Sequence, residues 1–278
     1  MAVTWAVVNQ KGGVGKTTTA INVAAYLAKD SRVLLVDMDP QGNASSGLGV
    51  VARGEMPDTY AVLLGETTVQ QAAVPTCVPG LFLVPGTINL AGAELALLHR
   101  EEKEFVLRQA LAPVQDDYDF ILIDSPPSLG ALTVNTLTAA QEVIVPLQCE
   151  YFALEGVSQL VEIVHRVRSN FNPSLEIARV VLTLFDGRTN LAQQVMQEVR
   201  SYFGDIVSPT VVPRNVRLSE APSFGRPISL YDPRSKGAIA YETVAQELKQ
   251  HAKGKAGVGD SESARTGSGR SASRWWRR

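Results

Sequence analysis

Apolar residues along this chain come in short runs, separated by longer stretches with a helical beat. The runs "TWAVVN" (4–9), "RVLLVDMD" (32–39), "LFLVPG" (81–86), "DFILIDSPP" (119–127), "EVIVPLQ" (142–148) and "ARVVLTLFD" (178–186) are short and rich in β-branched or aromatic residues. They read as buried strands. Between them, apolar positions recur every three to four residues. Ala20, Val23, Ala24, Leu27 and Ala28 mark a helix from Thr17 to Lys29, and similar patterns predict helices near 91–112, 130–141, 153–170, 189–203 and 235–252. Near-continuous apolar strands spaced by helices predict an α/β fold, a doubly wound, mostly parallel sheet flanked by helices. In such sheets ligands sit at the carboxyl ends of the strands.

After Ala252 the beat stops. "KGKAGVGDSESARTGSGRSASRWWRR" is Gly, Ser and Arg without an apolar period. It cannot bury enough surface to fold alone. The expected organisation is one folded domain over 1–252 and a disordered basic tail over 253–278. The 278 residues, 45% apolar and 19% charged, are enough for one large α/β domain.

Charge changes the picture. The formal net charge is −2, but from His251 onward seven Lys and Arg face two acids, so a +5 tail follows a −7 globule. Any nucleic-acid binding by the globule then needs a local basic patch, for which Arg166, Arg168, Arg188, Arg200, Arg214, Arg217, Arg226 and Arg234 are available. Cys77 and Cys149 form no CxxC, and the three histidines show no metal spacing. The start "MAVTWAVVNQ" lacks a basic leader, and no long apolar stretch could span a bilayer. A cytoplasmic chain is expected.

The chemistry concentrates in "NQKGGVGKTTTAIN" (9–22). The usual phosphate loop, GxxxxGK[ST], follows a strand and opens a helix. Here the context holds but the first Gly is replaced by Gln10, and the loop reads Lys11, Gly12, Gly13, Val14, Gly15, Lys16, Thr17, Thr18. Glycines let backbone N–H groups turn toward phosphate oxygens, and the helix adds its positive end. Lys16 suits the β and γ phosphates, and the Thr17 hydroxyl suits Mg²⁺. Lys11 is a second lysine at the mouth of the loop. Asp124 ends the strand "FILID", where a carboxylate of the Mg²⁺ site belongs. Asp37 and Asp39, two apart, are both expected to look toward the phosphates, one of them positioning water.

The blocks "KGGVGKTT", "VLLVDMDPQGNASSGLG", "ILIDSPPSLGALTVNTLTAA", "PLQCEYFALEGVSQL" and "PRNVRLSEAPSFGRPI" occur in that order. They resemble the ParA/Soj family of DNA-partitioning ATPases, in the deviant Walker A class of P-loop NTPases that also includes MinD and the nitrogenase iron protein. The resemblance runs from the start to about residue 250. It implies an ATP- and Mg²⁺-dependent ATPase that forms a homodimer with two nucleotides sandwiched between facing chains. Lys11 would be the signature lysine reaching the partner's phosphates, and Gly12 would leave room for the second backbone. Asp39 would be the water-activating acid, with a further link to the metal. Pro213 and Asn215 would flank the adenine. Arg188 and Arg217 would hold double-stranded DNA nonspecifically. A ParB-type centromere-binding protein would stimulate hydrolysis, and the protein would be nucleoid-associated. The match leaves no place for a helix-turn-helix domain ahead of it, so specific operator binding is not expected.

Two rivals follow from the same class. A MinD-like membrane cycler would need a C-terminal amphipathic helix, which the tail's glycines disfavour although "RWWRR" suits a lipid interface. An electron carrier like the nitrogenase iron protein would need cluster-ligating cysteines from each subunit, and only Cys149 follows a strand.

Overall fold

The computed structural model describes residues 1–51, 56–128, 130–150 and 153–262. The strands are β1 (Val3–Val7), β2 (Val33–Asp37), β3 (Val74–Pro75), β4 (Leu81–Val84), β5 (Phe120–Asp124), β6 (Glu142–Gln148) and β7 (Glu176–Thr183). They form one sheet in the order β3-β4-β2-β5-β1-β6-β7. Every neighbouring pair is parallel except β3–β4. The six apolar runs each supply a strand. The two-residue β3 is too short to leave a pattern.

Alternation along each strand divides the core between the two faces. Val33 and Leu35 of β2 pack with Leu122 of β5 beneath the helix Lys16–Leu27 and the C-terminal helix Lys236–Glu262. Leu34 and Val36 turn to the other face and pack with Ile121, Ile123 and the helices Thr59–Leu64, Val106–Leu111 and Ala131–Ala139. Beyond β1, the helices Ala153–Asn170 and Asn190–Phe203 cover β6 and β7 through Val157, Leu160, Val195 and Phe203. The register pairs Val7 with Asp124 and Asp37 with Asp124, so β1, β5 and β2 end level with one another.

Two expectations are corrected. The single helix over 91–112 is broken into Ala93–Leu97 and Val106–Leu111, each continuous with a 3₁₀ turn. Between them "LHREEKEF" offers no face to bury, and Glu102 takes a left-handed φ of 52°. The final helix does not stop at Ala252 but continues to Glu262, so the expected disordered tail begins as helix. Lys255 supplies the reason. Its ammonium lies 2.6 Å from Glu142 and 2.7 Å from Glu176, which fastens the extra turns to the amino ends of β6 and β7. The remainder of the expected tail, 263–278, lies outside the described residues.

Glu142 is the hub of that anchor. It is 4% exposed, accepts a hydrogen bond from Trp5 Nε1 at 2.9 Å and meets His251 Nε2 at 2.8 Å. Burial pushes its pKa up, but hydrogen bonds from His251, Lys255 and Trp5 outweigh burial and hold it at about 2. A folded-state pKa below the unfolded one stabilises the fold above the unfolded value, and that contribution fades as pH falls from the ordinary glutamate range toward 2. Glu142→Gln should therefore lose about 2–3 kcal/mol at pH near 7. Urea midpoints check it: the gap between wild type and variant should shrink as pH falls below the ordinary glutamate range and close only near the folded-state pKa of about 2.

Candidate active site

β1 ends at Val7, and the chain turns through Gly13 (φ 75°) and Gly15 (φ 86°) into the helix Lys16–Leu27. Only glycine adopts such angles without strain. Gly15 caps the helix without a side-chain hydrogen bond, so the first amide groups stay free to bind an anion. Val14 is buried, and its carbonyl accepts the Thr183 hydroxyl at 2.7 Å, tying the loop to the end of β7. Asn9 ties the other side: its amide donates to Pro146 O at 2.7 Å and its Oδ1 accepts Lys11 N at 3.0 Å. The loop is thus pinned at both flanks while its crest is open. A Cβ on Gly12 or Gly13 would meet nothing within 4 Å.

The two lysines separate cleanly. Lys16 is 7% exposed and donates to the Lys11 carbonyl at 3.1 Å. Burial lowers its pKa, against the pull of Asp124 and Asp39. Lys11 lies at the surface, its ammonium 2.9 Å from Glu150, with both side chains nearly half exposed. Gln148 holds the other Glu150 oxygen.

The acids separate as well. Asp124 is fully buried and neither carboxylate oxygen has a hydrogen-bond partner. Burial drives its pKa well above the ordinary value and Asp37 adds to the shift, while Thr17 and Lys16 only partly offset it. A buried carboxyl without a partner beside a threonine at a helix start is a place for an external cation or its water. Asp39 is 6% exposed and accepts Gln41 N at 3.0 Å. Asp37 does not face the phosphate side freely, as the two-residue spacing suggests. Its Oδ2 accepts Ser45 N at 2.9 Å and Ser45 Oγ at 2.7 Å, and its Oδ1 accepts Asp39 N at 3.2 Å. Burial raises its pKa to about 6 against those bonds. Asp37 therefore braces the turn, leaving Asp39 as the available acid.

The remaining expected residues stand further out. Phe185 bridges to Pro213 in a short parallel pairing, and Asn215 caps the helix Val216–Glu220 by accepting Arg217 N at 2.9 Å. Arg188 forks onto Asp186 at 2.8 and 2.7 Å, and that pair with its backbone hydrogen bond holds Asp186 at about 2. Arg217 lies 2.9 Å from Glu220 and 3.5 Å from Asp232. Both arginines are exposed and already hold carboxylates. Cys149 is buried, its thiol pushed up to about 11 by burial, while Cys77 is exposed on the turn between β3 and β4. Among the described residues no three His, Cys, Asp or Glu side chains cluster as a metal cage. No described helix is long and apolar enough to cross a membrane. Sequence reasoning missed Asn9, Ser45, Glu150 and Thr183, whose roles appear only through distant partners.

A central parallel strand feeding a pinned glycine loop, with a buried lysine at the helix start and a carboxylate on the next strand, is the architecture of a P-loop nucleotide triphosphatase. Known proteins narrow the class. A family model described as an AAA domain, AAA_31, matches residues 2–177. The chromosome partitioning protein ParA of Myxococcus xanthus is 54% identical over 241 residues, covering 86% of this chain and 85% of that one. The sporulation initiation inhibitor protein Soj of Bacillus subtilis is 53% identical over 244 residues, 87% of this chain and 96% of that one. A Mycobacterium smegmatis crystal structure, described as cobyrinic acid a,c-diamide synthase with bound ATP analog and magnesium, is 41% identical with a TM-score of 0.80, covering 91% of this chain and 96% of that one. The chain belongs to the ParA/Soj family of chromosome-partitioning ATPases. The synthase description concerns the Mycobacterium protein alone.

Proposed function

We propose that this chain is an ATP-driven partitioning switch whose ATP-bound state is a sandwich of two copies that binds nucleoid DNA without reading bases. The observation that carries the reading is the division between the two lysines. Lys16 is sunk beside Asp124 and Asp39, while Lys11 stands at the open crest of the loop with only a half-exposed glutamate to hold it. One cation serves the nucleotide of its own chain. The other is free to serve a nucleotide bound to a second copy.

In this reading Gly12, Gly13, Val14, Gly15, Lys16, Thr17 and Thr18 wrap the phosphates, and Pro213 with Asn215 flanks the adenine. Thr17 and Asp124 would hold Mg²⁺, which would neutralise charge on the phosphoryl oxygens. Asp39 orients the attacking water and would help hold the metal. Lys11 of the second copy stabilises the charge that develops in the transition state. Hydrolysis then depends on pairing, and a ParB-type centromere-binding protein triggers it and releases the chain from DNA.

Asp39→Ala should keep ATP and Mg²⁺ binding and lose turnover, leaving a stable pair. Size-exclusion chromatography with ATP tests this, and a monomer at every concentration would move the role from Asp39.

DNA binding should require ATP, measured side by side with ADP and with no nucleotide. Arg188→Glu and Arg217→Glu should spare ATP binding and pairing while weakening DNA of any sequence. The slope of log affinity against log salt should shrink by about one unit for each arginine removed from a phosphate. The comparison belongs in a chain ending at Glu262 as well, which keeps the Lys255 anchor and removes the arginines that could mask the effect. Unchanged affinity there would remove both arginines from the DNA surface.

A further inference from the structure

The chain from Asn215 to Asp232 is built as one unit. It comprises the helix Val216–Glu220, a 3₁₀ turn over Ala221–Phe224 and the helix Ile228–Tyr231. Each piece is too short to hold itself together in water, so side chains must bolt them to one another. The Tyr231 hydroxyl donates to Glu220 Oε2 at 3.1 Å, and the Tyr231 ring stacks on Phe224 with centroids 5.0 Å apart. Arg217 ties the same Glu220 to Asp232. Asn215 belongs to the unit as the cap of its first helix.

Two contacts seat this unit on the nucleotide machinery. The first is backbone on backbone. Gly225 (φ 62°) approaches Gly49 (φ 76°) so closely that a Cβ on Gly225 would come within 2.7 Å of the Gly49 Cα. Gly49 follows the helix Asn43–Gly47, whose Ser45 holds Asp37. The second contact is a single side chain. Asn22 lies on the helix Lys16–Leu27 that the phosphate loop opens, and it is 4% exposed. Its Nδ2 donates to Thr18 O at 2.8 Å, and its Oδ1 accepts the Ile228 N–H at 2.8 Å. Ile228 is fully buried, and its N–H is the first amide of a helix, so it has no partner within that helix. With the Asn22 oxygen gone, this amide can be paired only if the unit shifts toward water. The flanking residues Ile21 and Val23, and Ile228 across the contact, are core apolar residues, so packing alone would be served by a leucine at position 22. An asparagine there links the backbone at Thr18 to the unit that carries Asn215.

We infer that Asn22 is a positioning residue for the nucleotide base: by holding Ile228 it sets the distance between the phosphate loop and Asn215, so that phosphates and adenine are gripped in one geometry. The inference rests on the base-flanking role of Asn215 proposed above. Asn22 acts only through the backbone of Ile228.

The test compares ADP with pyrophosphate, both with Mg²⁺, so that ATP-dependent pairing does not enter. Equilibrium titrations of the full chain give the ratio of the two dissociation constants, which measures what the adenosine end adds to binding. Asn22→Leu keeps the volume and removes both hydrogen bonds. It should bind pyrophosphate within about twofold of wild type while the ratio falls on the order of tenfold, the effect of one buried amide left unpaired. Asn22→Asp keeps an oxygen for the Ile228 N–H and should hold the ratio within about threefold of wild type. Thermal melts accompany each variant. If Asn22→Leu does not fold, Asn22→Ala, which leaves room for a water on the Ile228 N–H, takes its place and should show the same split. Equal losses of ADP and pyrophosphate would make Asn22 a support of the phosphate helix alone and overturn the inference. So would an unchanged ratio in the folded variant, or a ratio lowered as much by Asn22→Asp as by Asn22→Leu. Asn215→Ala separates this inference from the reading beneath it, and should lower the ratio as well. If it does and Asn22→Leu does not, the positioning role alone fails. If Asn215→Ala leaves the ratio intact, the base lies elsewhere and both fail.

Discussion

Lys16→Ala is expected to leave a folded chain that no longer holds nucleotide. The ammonium is the buried positive charge of the loop, with Asp124 and Asp39 both acting on it. Removing it leaves those acids facing incoming phosphates with no countercharge among them. Deleting one partner of a buried charge set costs about 3–5 kcal/mol, so affinity should fall by roughly two to four powers of ten. Titration of a fluorescent ATP analogue measures it, with a thermal melt to show that the fold survives. The fold should survive, because the loop is pinned by Thr183 and Asn9 rather than by Lys16. Affinity within threefold of wild type would place the phosphates elsewhere.

Lys11→Ala should show the opposite split. Its ion pair with Glu150 is half exposed, and such pairs contribute at most about 1 kcal/mol. The lysine can leave Glu150 at little cost, and the unpaired subunit loses little without it. ATP affinity of the monomer should stay within about threefold, while turnover should drop by about two to four powers of ten, the range for a removed transition-state cation. Mixing Lys11→Ala with a chain carrying Asp39→Ala separates the roles. If Lys11 acts across the interface, a mixed pair retains one competent site, built from Asp39 of the first variant and Lys11 of the second. No recovery of activity on mixing, with pairing verified, would confine Lys11 to its own chain.

The strands and the phosphate loop were legible because each is written locally. A buried parallel strand is a continuous apolar run, and a glycine loop opening a helix with Lys-Thr is a contiguous string. What escaped has partners far away in sequence. Asp37 and Asp39 look equivalent by spacing alone, and only Ser45, eight residues on, shows that Asp37 is already occupied. The surface ion pair of Lys11 joins residues 139 apart. The end of the last helix was misread for a related reason. Gly254, Gly257 and Gly259 weaken intrinsic helicity, and the compensating ion pairs of Lys255 involve two other strands. The helices Asn43–Gly47, Thr59–Leu64, Val69–Ala72, Val216–Glu220 and Ile228–Tyr231 are too short to display a period.

The anchoring of the C-terminal helix also fixes how the molecule can be handled. Its start packs on the helix that carries Arg217, since Gly237 lies tight against Leu218, and Lys255 reaches the amino ends of β6 and β7. The Met1 amine, paired with Asp116 at 3.1 Å, lies just before β1 at that same pole. The phosphate loop occupies the opposite pole. A dye, bead or affinity handle joined at the first residue therefore departs from the rear of the sheet. Molecules tethered to a support by that end would present their nucleotide face outward, free to recruit a second copy from solution.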